Sequence, residues 1–380
     1  MPAAGAVARR LYYDSADLEF TARVTDIRLV ANQPHTSAES AQLWQLALDC
    51  TAFYPEGGGQ PWDTGVLIAI ARSGARLEVP VERVEEDEAG EVWHFVRKPL
   101  VEGTEVTGRI DAARRTDHEQ QHSGQHLLSA VFLRELGART VSFHLGAESS
   151  TIDLALPDGM DRLSPEALLR VEESANRIVA EGRPLIPHWV EPGLAQAMLA
   201  RGDLRKLPER EGPFRIVQMQ GIEFNACGGT HVSNTGAIGA ITVRRLEKVR
   251  NGWRVEFVCG LRAIRSARRD FEILAEAAAS LSVGTPDVPS RIASLLDENK
   301  AAAKDRRALL DELALAQAVT LATGTPGVVT AVFPGKDIDF AKRVATHAAS
   351  LGRAAVVGAS GLTDGAIAFA RGPLLDRNAG

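Results

Sequence analysis

Two short motifs constrain this chain more than any other feature, because each brings together a pair of metal-ligating side chains. HSGQH places His122 and His126 four residues apart, a spacing that on an α-helix directs both imidazoles from one face, about 40° apart. CGGTH gives Cys227 and His231 the same spacing, and its two glycines favour a tight turn that folds thiolate and imidazole toward one point. Two such pairs suit a tetrahedral zinc ion. The sequence therefore predicts one zinc per chain, held by these four residues.

Length and composition indicate a multidomain globular protein. A chain of 380 residues corresponds to two or three domains of ordinary size, and its 45 % hydrophobic and 24 % charged residues are typical of soluble proteins. No apolar run approaches about 18 residues and the N-terminus lacks a signal-like apolar core, so we expect no membrane association. Three cysteines are too few for a disulfide framework, which favours a reducing, cytoplasmic location.

The charge is unevenly distributed along the chain. The net charge is −6, which argues against a protein that coats nucleic acid generally. One segment, residues 244–269, nevertheless holds nine basic residues against two acidic ones and carries +7. A local basic surface on an acidic protein indicates a specific anionic partner met at one place. The alternative is a solvated helix face and hairpin edge, where Lys and Arg are common.

The first 108 residues are predicted to form a small β-barrel or sandwich. Apolar and polar residues alternate around Phe20–Val24, Trp44–Cys50 and Val66–Ile70, the period expected of half-buried strands. Within this region lies TAFYPEGGGQPWDTG, residues 51–65. Three consecutive glycines bounded by prolines do not fit regular structure, so we expect a loop held close to another part of the molecule.

Residues 109–260 are predicted to form an α+β domain that contains both metal-ligand pairs. A helix over 111–136, ending at Gly137, carries the two histidines. A hairpin over 141–156 and a helix from Ser164–Pro165 follow, the latter with a favourable N-cap and a proline in its first turn. Further along, Asn251–Gly252 is a strong hairpin signal between two apolar strands.

The remaining chain is predicted to be a helical hairpin or coiled coil over 261–321 and a small α/β unit over 322–380. Two apolar stripes at helical spacing are separated by SVGTPDVPS, which favours two antiparallel helices. The last segments alternate VVTAVF, a helical stretch and AAVVGA, the order of a βα unit. The overall fold class is therefore α+β.

The donor set leaves two uses for the zinc open. Four protein ligands would close a tetrahedral site, which favours a structural ion, whereas structural sites usually favour cysteine and histidine-rich ligation leaves the ion more electrophilic. A metallopeptidase is excluded, because its helix carries a general-base Glu directly after the first histidine and this chain has Ser123 there. His118 extends the histidine stripe by one turn and is expected to be a polar helix neighbour rather than a ligand.

The chain resembles a known family in four segments, which occur in the order FYPEGGGQPWDTG, DHEQQHSGQHLLSAVF, VSFHLGAESSTIDL and CGGTHVSNTGAIG. These are similar to the editing domain of alanyl-tRNA synthetases and most of all to the free-standing AlaX editing proteins. The helical hairpin and terminal unit resemble the oligomerisation segment and C-terminal domain of the synthetase, as in the long AlaX type. No aminoacylation domain precedes the editing region in the sequence, so we expect the protein to act in trans.

The resemblance implies hydrolysis of the ester that joins a wrong amino acid, chiefly serine and also glycine, to alanine tRNA. An aminoacyl ester needs little activation, so a zinc-polarised carbonyl or a zinc-held water would suffice; the substrate amino group could instead meet the metal. Two alternatives stay open. One is the same hydrolysis on another tRNA, such as serine esterified to threonine tRNA, and the other is a tRNA-binding module with structural zinc.

Selectivity for serine over alanine is a problem of hydroxyl recognition. A polar group aimed at the serine hydroxyl is left unpaired when alanine binds, which rejects the correct ester. Ser123 is the predicted residue for this role, with Gln125 second. The family usually carries Thr at position 123, so the hydroxyl is retained here, and it usually carries Met where this chain has Glu119.

Six further residues are predicted to contact the substrate or the tRNA. Four lie in the glycine-rich loop and two in the basic segment: Gly57, Gly58, Gly59, Gln60, Arg265 and Arg268. The loop residues could equally form a structural corner. We also expect a homodimer through the helical hairpin, although an intramolecular hairpin would bury the same apolar stripes.

Overall fold

The computed structural model describes residues 7–14, 16–30, 42–71, 73–209, 211–250, 252–324, 327–360 and 365–372. The chain divides into two compact units, Met1–Asp270 and Phe271–Gly380. The finer division at residues 108, 260 and 321 stays a prediction. None of the described helices combines the length and the apolar character that crossing a membrane requires.

The first unit begins with a closed barrel, which confirms the fold predicted from the alternating segments. Its strands, with two short flanking ones, are β1 (Arg9–Arg10), β2 (Glu19–Leu29), β3 (Trp44–Leu48), β4 (Cys50–Thr51), β5 (Gly65–Ile70), β6 (Arg76–Glu86), β7 (Val92–Val96) and β8 (Glu105–Ile110). The barrel closes in the order β2-β3-β7-β6-β5-β8. Buried side chains such as Val24, Leu46, Leu67 and Val79 fill it, so it is a packed core and has no room for a channel.

An α+β region completes the first unit, as predicted. Its elements are α1 (Ala112–Leu136), β9 (Arg139–Leu145), β10 (Ser150–Ala155), α2 (Pro165–Glu181), β11 (Leu185–Val190), α3 (Pro192–Arg201), β12 (Phe214–Met219), β13 (Glu223–Ala226), β14 (Ile241–Val249), β15 (Gly252–Cys259) and the start of α4 (Gly260–Ser280). Two antiparallel sheets form, in the orders β14-β15-β10-β9 and β11-β12-β13. The predicted hairpin joins β14 and β15, and Asn251 in its turn lies outside the described residues.

Helix α1 is the centre of this region and follows the predicted bounds. Asp111 caps its N-terminus by accepting from the backbone N–H of Ala113 and Arg114, and Gly137 ends it in the left-handed conformation. Apolar residues of its second half, Leu127, Leu128, Val131 and Phe132, are buried in the core with residues of β10, β15 and α2. Polar residues of its first half are buried too, among them Arg115, His118 and Gln121.

Close packing explains the glycine inside the HSGQH motif. A Cβ atom at Gly124 would lie 2.2 Å from the Cys259 Sγ at the end of β15. Helix and strand can therefore approach this closely only if residue 124 has no side chain. The same contact buries Cys259 completely, which confirms it as a core residue.

The second unit contains the rest of α4 and a small α/β unit. Its further elements are α5 (Val288–Gly324), β16 (Val328–Pro334), α6 (Ile338–Ser350), β17 (Ala354–Ser360) and β18 (Gly365–Ala370). The sheet order is β16-β17-β18, with the first pair parallel and the second antiparallel. Ala341, Val344 and Ala345 of α6 are buried together with Ala355 and Val357 of β17. The predicted βα order is confirmed.

Candidate metal centre

Four side chains converge in the first unit, and they are the four that the motifs predicted. One ligand atom from each of His122, His126, Cys227 and His231 lies within 4.8 Å of all the others. The Cys227 Sγ is 3.4 Å from the Nε2 of His122 and 3.4 Å from that of His231. Around a tetrahedral zinc with ordinary bond lengths, nitrogen and sulfur lie about 3.6 Å apart. The cluster therefore has the dimensions and the donor set of a metal site.

Helix α1 and the turn after β13 position these ligands. His122 and His126 stand one helical turn apart, with ring centroids 5.0 Å from each other. The CGGTH turn fits against them because residue 229 is glycine: a Cβ there would lie 2.2 Å from the His122 Cε1. The buried Arg215 guanidinium holds the turn by donating to the carbonyls of Cys227 and Gly229, at 2.8 and 3.0 Å.

Each histidine meets a different polar side chain at Nδ1, on the side away from the cluster. His122 meets the Gln60 Oε1 at 2.8 Å, His126 meets the Glu223 Oε1 at 3.6 Å, and His231 meets the Ser123 Oγ at 3.2 Å. The Nε2 atoms therefore face one another around the thiolate. That of His126 is buried and has no hydrogen-bond partner among the described residues. An orphaned buried nitrogen aimed at a thiolate is what a metal ligand looks like without its ion.

The electrostatics of the cluster favour a bound cation. Burial alone would raise the pKa of Cys227, but the neighbouring His122 and His231 bring it well below the ordinary value. Burial lowers the pKa of His231 to about 3. Burial also lowers that of His126, but Cys227 and Glu223 outweigh it and raise the value to about 9. The neighbouring imidazoles thus favour the thiolate form of Cys227, and a cation binding there would displace the proton of His126.

Comparisons with known proteins agree with this geometry. A family model described as the threonyl and alanyl tRNA synthetase second additional domain matches residues 214–255, and one described as tRNA synthetases class II (A) matches residues 3–114. The alanyl-tRNA editing protein Aarsd1 of Bos taurus is 32 % identical over 319 residues, which cover 81 % of this chain and 67 % of that protein. Its Mus musculus counterpart is 30 % identical over 349 residues, or 89 % and 80 %. The chain belongs to the alanyl-tRNA editing proteins.

Membership in the alanyl-tRNA editing family confirms the resemblance carried by the motifs. The chain is also similar to alanine–tRNA ligases, such as that of Pyrococcus abyssi, to which it is 37 % identical over 317 residues. The match covers 80 % of this chain but 32 % of the ligase. The chain thus spans about a third of the length of the ligases it matches.

The predicted selectivity residues are buried beside the ligands. Ser123 is fully buried, and its Oγ accepts from the Val232 N–H at 3.2 Å besides contacting His231. Gln125 is also buried. Its Nε2 donates to the Ser129 Oγ at 2.8 Å, while its Oε1 has no partner among the described residues. Their roles toward a substrate stay predictions.

Glu119 lies on α1, one turn before the first metal-ligating histidine. Burial raises its pKa to about 7, although Arg115 opposes the shift with a guanidinium nitrogen 4.0 Å from the carboxylate. A mostly buried acid with a pKa near neutrality is unusual, since a carboxyl group ordinarily titrates near 4.5.

The predicted loop and basic residues differ in exposure. Gly57 is half-buried and Gly58 and Gly59 are exposed, whereas Gln60 next to them is completely buried. In the basic segment, Arg265 and Arg268 are exposed on α4. Three other arginines of that segment are engaged in ion pairs: Arg244 with Asp270, Arg254 with Asp153 and Arg262 with Asp117.

His118 and His144 do not join the cluster. His118 is buried on α1 outside the group of four, as expected of a helix neighbour, and His144 is exposed on β9. Glu223, which contacts His126, was not predicted from the sequence. Alternation along β13 could have found it, because residues 223, 225 and 227 share one face of an extended strand.

A cavity of about 410 Å³ adjoins the metal centre. Glu223 lines it and also contacts His126, and Ala130 lines it from the next turn of α1. Arg134, Arg205 and Phe224 contribute charge and an aromatic ring to the wall. Glu223 therefore connects the wall of the cavity with the metal centre.

Proposed function

We propose that this editing-family chain hydrolyses the ester between alanine tRNA and a wrong amino acid, chiefly serine and also glycine, at a site that holds one zinc ion. The observation that carries this proposal is the convergence of three imidazoles and one thiolate, each imidazole engaged at Nδ1, in a chain of the alanyl-tRNA editing family. When bound, zinc would polarise the ester carbonyl or lower the pKa of a water.

The chain's own residues would hold the ion without large rearrangement. His122, His126, Cys227 and His231 present their donor atoms to one point, and the turn that carries two of them is fixed by Arg215. Holding ligands in place before the ion arrives reduces the entropy lost on binding. Zinc suits a set of three nitrogens and one sulfur better than the hard cations do, because Mg²⁺ and Ca²⁺ prefer oxygen.

Ser123 is the proposed selectivity residue, with Gln125 second. If His231 binds metal through Nε2, its Nδ1 carries the hydrogen and donates to the Ser123 Oγ, which also accepts from the Val232 N–H. The hydroxyl hydrogen of Ser123 then has no acceptor within the described ranges. It could donate to a substrate serine hydroxyl, whereas an alanine methyl group offers no acceptor.

The exposed glycines and arginines are the proposed contacts to the tRNA. Gly57, Gly58 and Gly59 would allow close backbone approach, and Arg265 and Arg268 would meet phosphates. Replacing one phosphate-contacting arginine by Ala should lower the salt slope of tRNA binding by about one and leave sequence preference unchanged. An unchanged slope would argue against the arginine concerned.

A tRNA-binding module with structural zinc is the second candidate, because four protein ligands suffice to close a tetrahedral site. His122→Ala separates the two functions. A catalytic site should lose deacylation while the chain keeps its fold and its affinity for tRNA. A structural site should instead lose the fold or the binding.

The test is a panel of four substrates given to the zinc-loaded protein: alanine tRNA charged with serine, glycine or alanine, and threonine tRNA charged with serine. We expect release of serine and glycine from alanine tRNA, with alanine spared. Preferential turnover of the threonine tRNA would replace the proposed substrate. No turnover of any substrate would contradict the enzymatic function and favour the binding module.

A further inference from the structure

Gln60 is a polar side chain with no exposed surface, in a loop whose neighbouring glycines lie at the surface. Its Oε1 accepts from the Thr230 N–H at 3.0 Å and meets the His122 Nδ1 at 2.8 Å, and its Nε2 donates to the Thr230 Oγ1 at 2.9 Å. A buried amide whose oxygen and nitrogen are both hydrogen-bonded to other segments of the chain is held in one orientation. It has no surface left for tRNA.

These contacts determine where His122 carries its hydrogen. A backbone N–H can only donate, so the Gln60 atom facing the Thr230 N–H must be the oxygen. The His122 Nδ1 that faces the same oxygen must then donate as well. In a neutral imidazole this leaves the lone pair on Nε2, which is the nitrogen that lies 3.4 Å from the Cys227 thiolate.

The loop that carries Gln60 is itself fixed to helix α1. Asp63 and Arg115, both buried, form an ion pair, and Arg115 also donates to the Ala52 carbonyl at 2.7 Å. Within the loop, Gly57 and Gln60 exchange two backbone hydrogen bonds, at 2.9 and 3.1 Å. Gly229 leaves room for the pair, since a Cβ there would lie 2.9 Å from the Gln60 Oε1.

We propose that Gln60 is a positioning residue of the metal centre: it fixes the tautomer and the ring of His122, so that the barrel's glycine-rich loop completes a site whose ligands all lie in the following α+β region. The inference rests on the metal-binding role proposed above for the four residues. The glycine-rich loop would then have two roles. Its exposed glycines would approach the substrate, and its buried glutamine would orient a metal ligand.

Zinc affinity, measured by competition with a chromophoric chelator, tests this role without any substrate. Gln60→Met keeps the length of the side chain but has no oxygen, and it should lower the affinity about 10- to 100-fold. Gln60→Glu should keep or raise the affinity, because a carboxylate accepts from both His122 and Thr230. Thr51→Val is the matched control: it removes another buried hydrogen bond of the barrel, to His94 at 2.8 Å, and should leave the affinity unchanged.

Equal affinity of wild type and Gln60→Met would overturn the inference while leaving the proposed function intact. If the wild type itself binds no zinc, the metal role fails first and the inference falls with it. Should Gln60→Met fail to fold, ring-¹⁵N histidine spectra of the zinc-free wild type decide, with His122 assigned from a His122→Asn sample. Hydrogen on Nδ1 supports the inference, and hydrogen on Nε2 overturns it.

Discussion

Helices α1 and α5 reverse the usual relation between polarity and burial in opposite ways. Helix α1 buries Arg115, Gln121, His122 and Ser123 almost completely. Helix α5 exposes apolar side chains, and Leu296 and Leu309 each keep 65 % of their surface in contact with solvent. Buried polar groups and exposed apolar ones are the informative departures from ordinary packing. In α1 these four side chains each meet a specific partner within the chain, whereas α5 presents a face that another molecule could cover.

Removing the thiolate should have the largest effect on the site that α1 supports. Cys227→Ala is expected to weaken zinc binding by more than about 100-fold. Losing a side chain that only hydrogen-bonds to a ligand already lowers metal affinity by up to about that factor. Cys259→Ala is the matched control, because Cys259 is also free and fully buried but belongs to the core. It should bind zinc as the wild type does. Equal zinc affinity of Cys227→Ala and the wild type would break the distinction between site and core.

The buried ion pair between Arg115 and Asp63 tests whether polar burial in α1 depends on its partners. Arg115→Met leaves the Asp63 carboxylate buried without its partner and should lower the free energy of unfolding by about 3–5 kcal/mol. Arg254→Met removes an exposed pair with Asp153 and should cost less than about 1 kcal/mol. Urea denaturation of both variants gives the comparison. Similar losses in the two would contradict the account of α1.

Glu119 is the exception on α1, because its carboxyl group is buried without adequate compensation. Its pKa of about 7 lies above the ordinary value of 4.5, so the folded state holds the proton more tightly than the unfolded state does. The tighter proton binding by Glu119 therefore stabilises the folded state fully below about pH 4.5. This stabilisation is lost as pH rises toward 7, which lowers the free energy of unfolding by at most about 3 kcal/mol. Glu119→Gln should be the more stable form at pH 8 and gain little at pH 5. A pH-independent difference would contradict this.

Changes on the exposed face of α5 should have the smallest effect on the folded chain itself. Leu296→Gln and Leu309→Gln are expected to change the free energy of unfolding of a monomer by no more than about 0.5 kcal/mol each. If this face forms the predicted homodimer, the double variant should sediment as a monomer at concentrations where the wild type is a dimer. A monomeric wild type over the same concentrations would argue against the dimer.

The metal ligands could be predicted from the sequence because their geometry is local. An i, i+4 pair on a helix and a cysteine and histidine around two glycines need no knowledge of the fold. Gln60 and Glu223 hold those ligands from distant segments, with Gln60 lying 62 residues from His122. Only tertiary structure brings them together, so the sequence indicated a glycine-rich loop without indicating which way its glutamine turns.

The fold was predicted most accurately where caps and alternation agree. Asp111 and Gly137 bound α1, as the sequence indicated. Strand β12, Phe214–Met219, was not predicted, because its FRIVQM segment is a short run without clear alternation. The stripes of α4 and α5 predicted helices correctly. Periodicity shows which face of a helix is apolar and does not show whether the same chain covers it.

One metal ion in this cluster is proposed to support editing of alanine tRNA. The most direct measurement titrates zinc into metal-free protein and follows the release of serine from serine-charged alanine tRNA at each step. We expect the rate to rise in proportion to bound zinc and to stop rising at one equivalent per chain. Release that is equally fast without zinc, or no release at full occupancy, would contradict it.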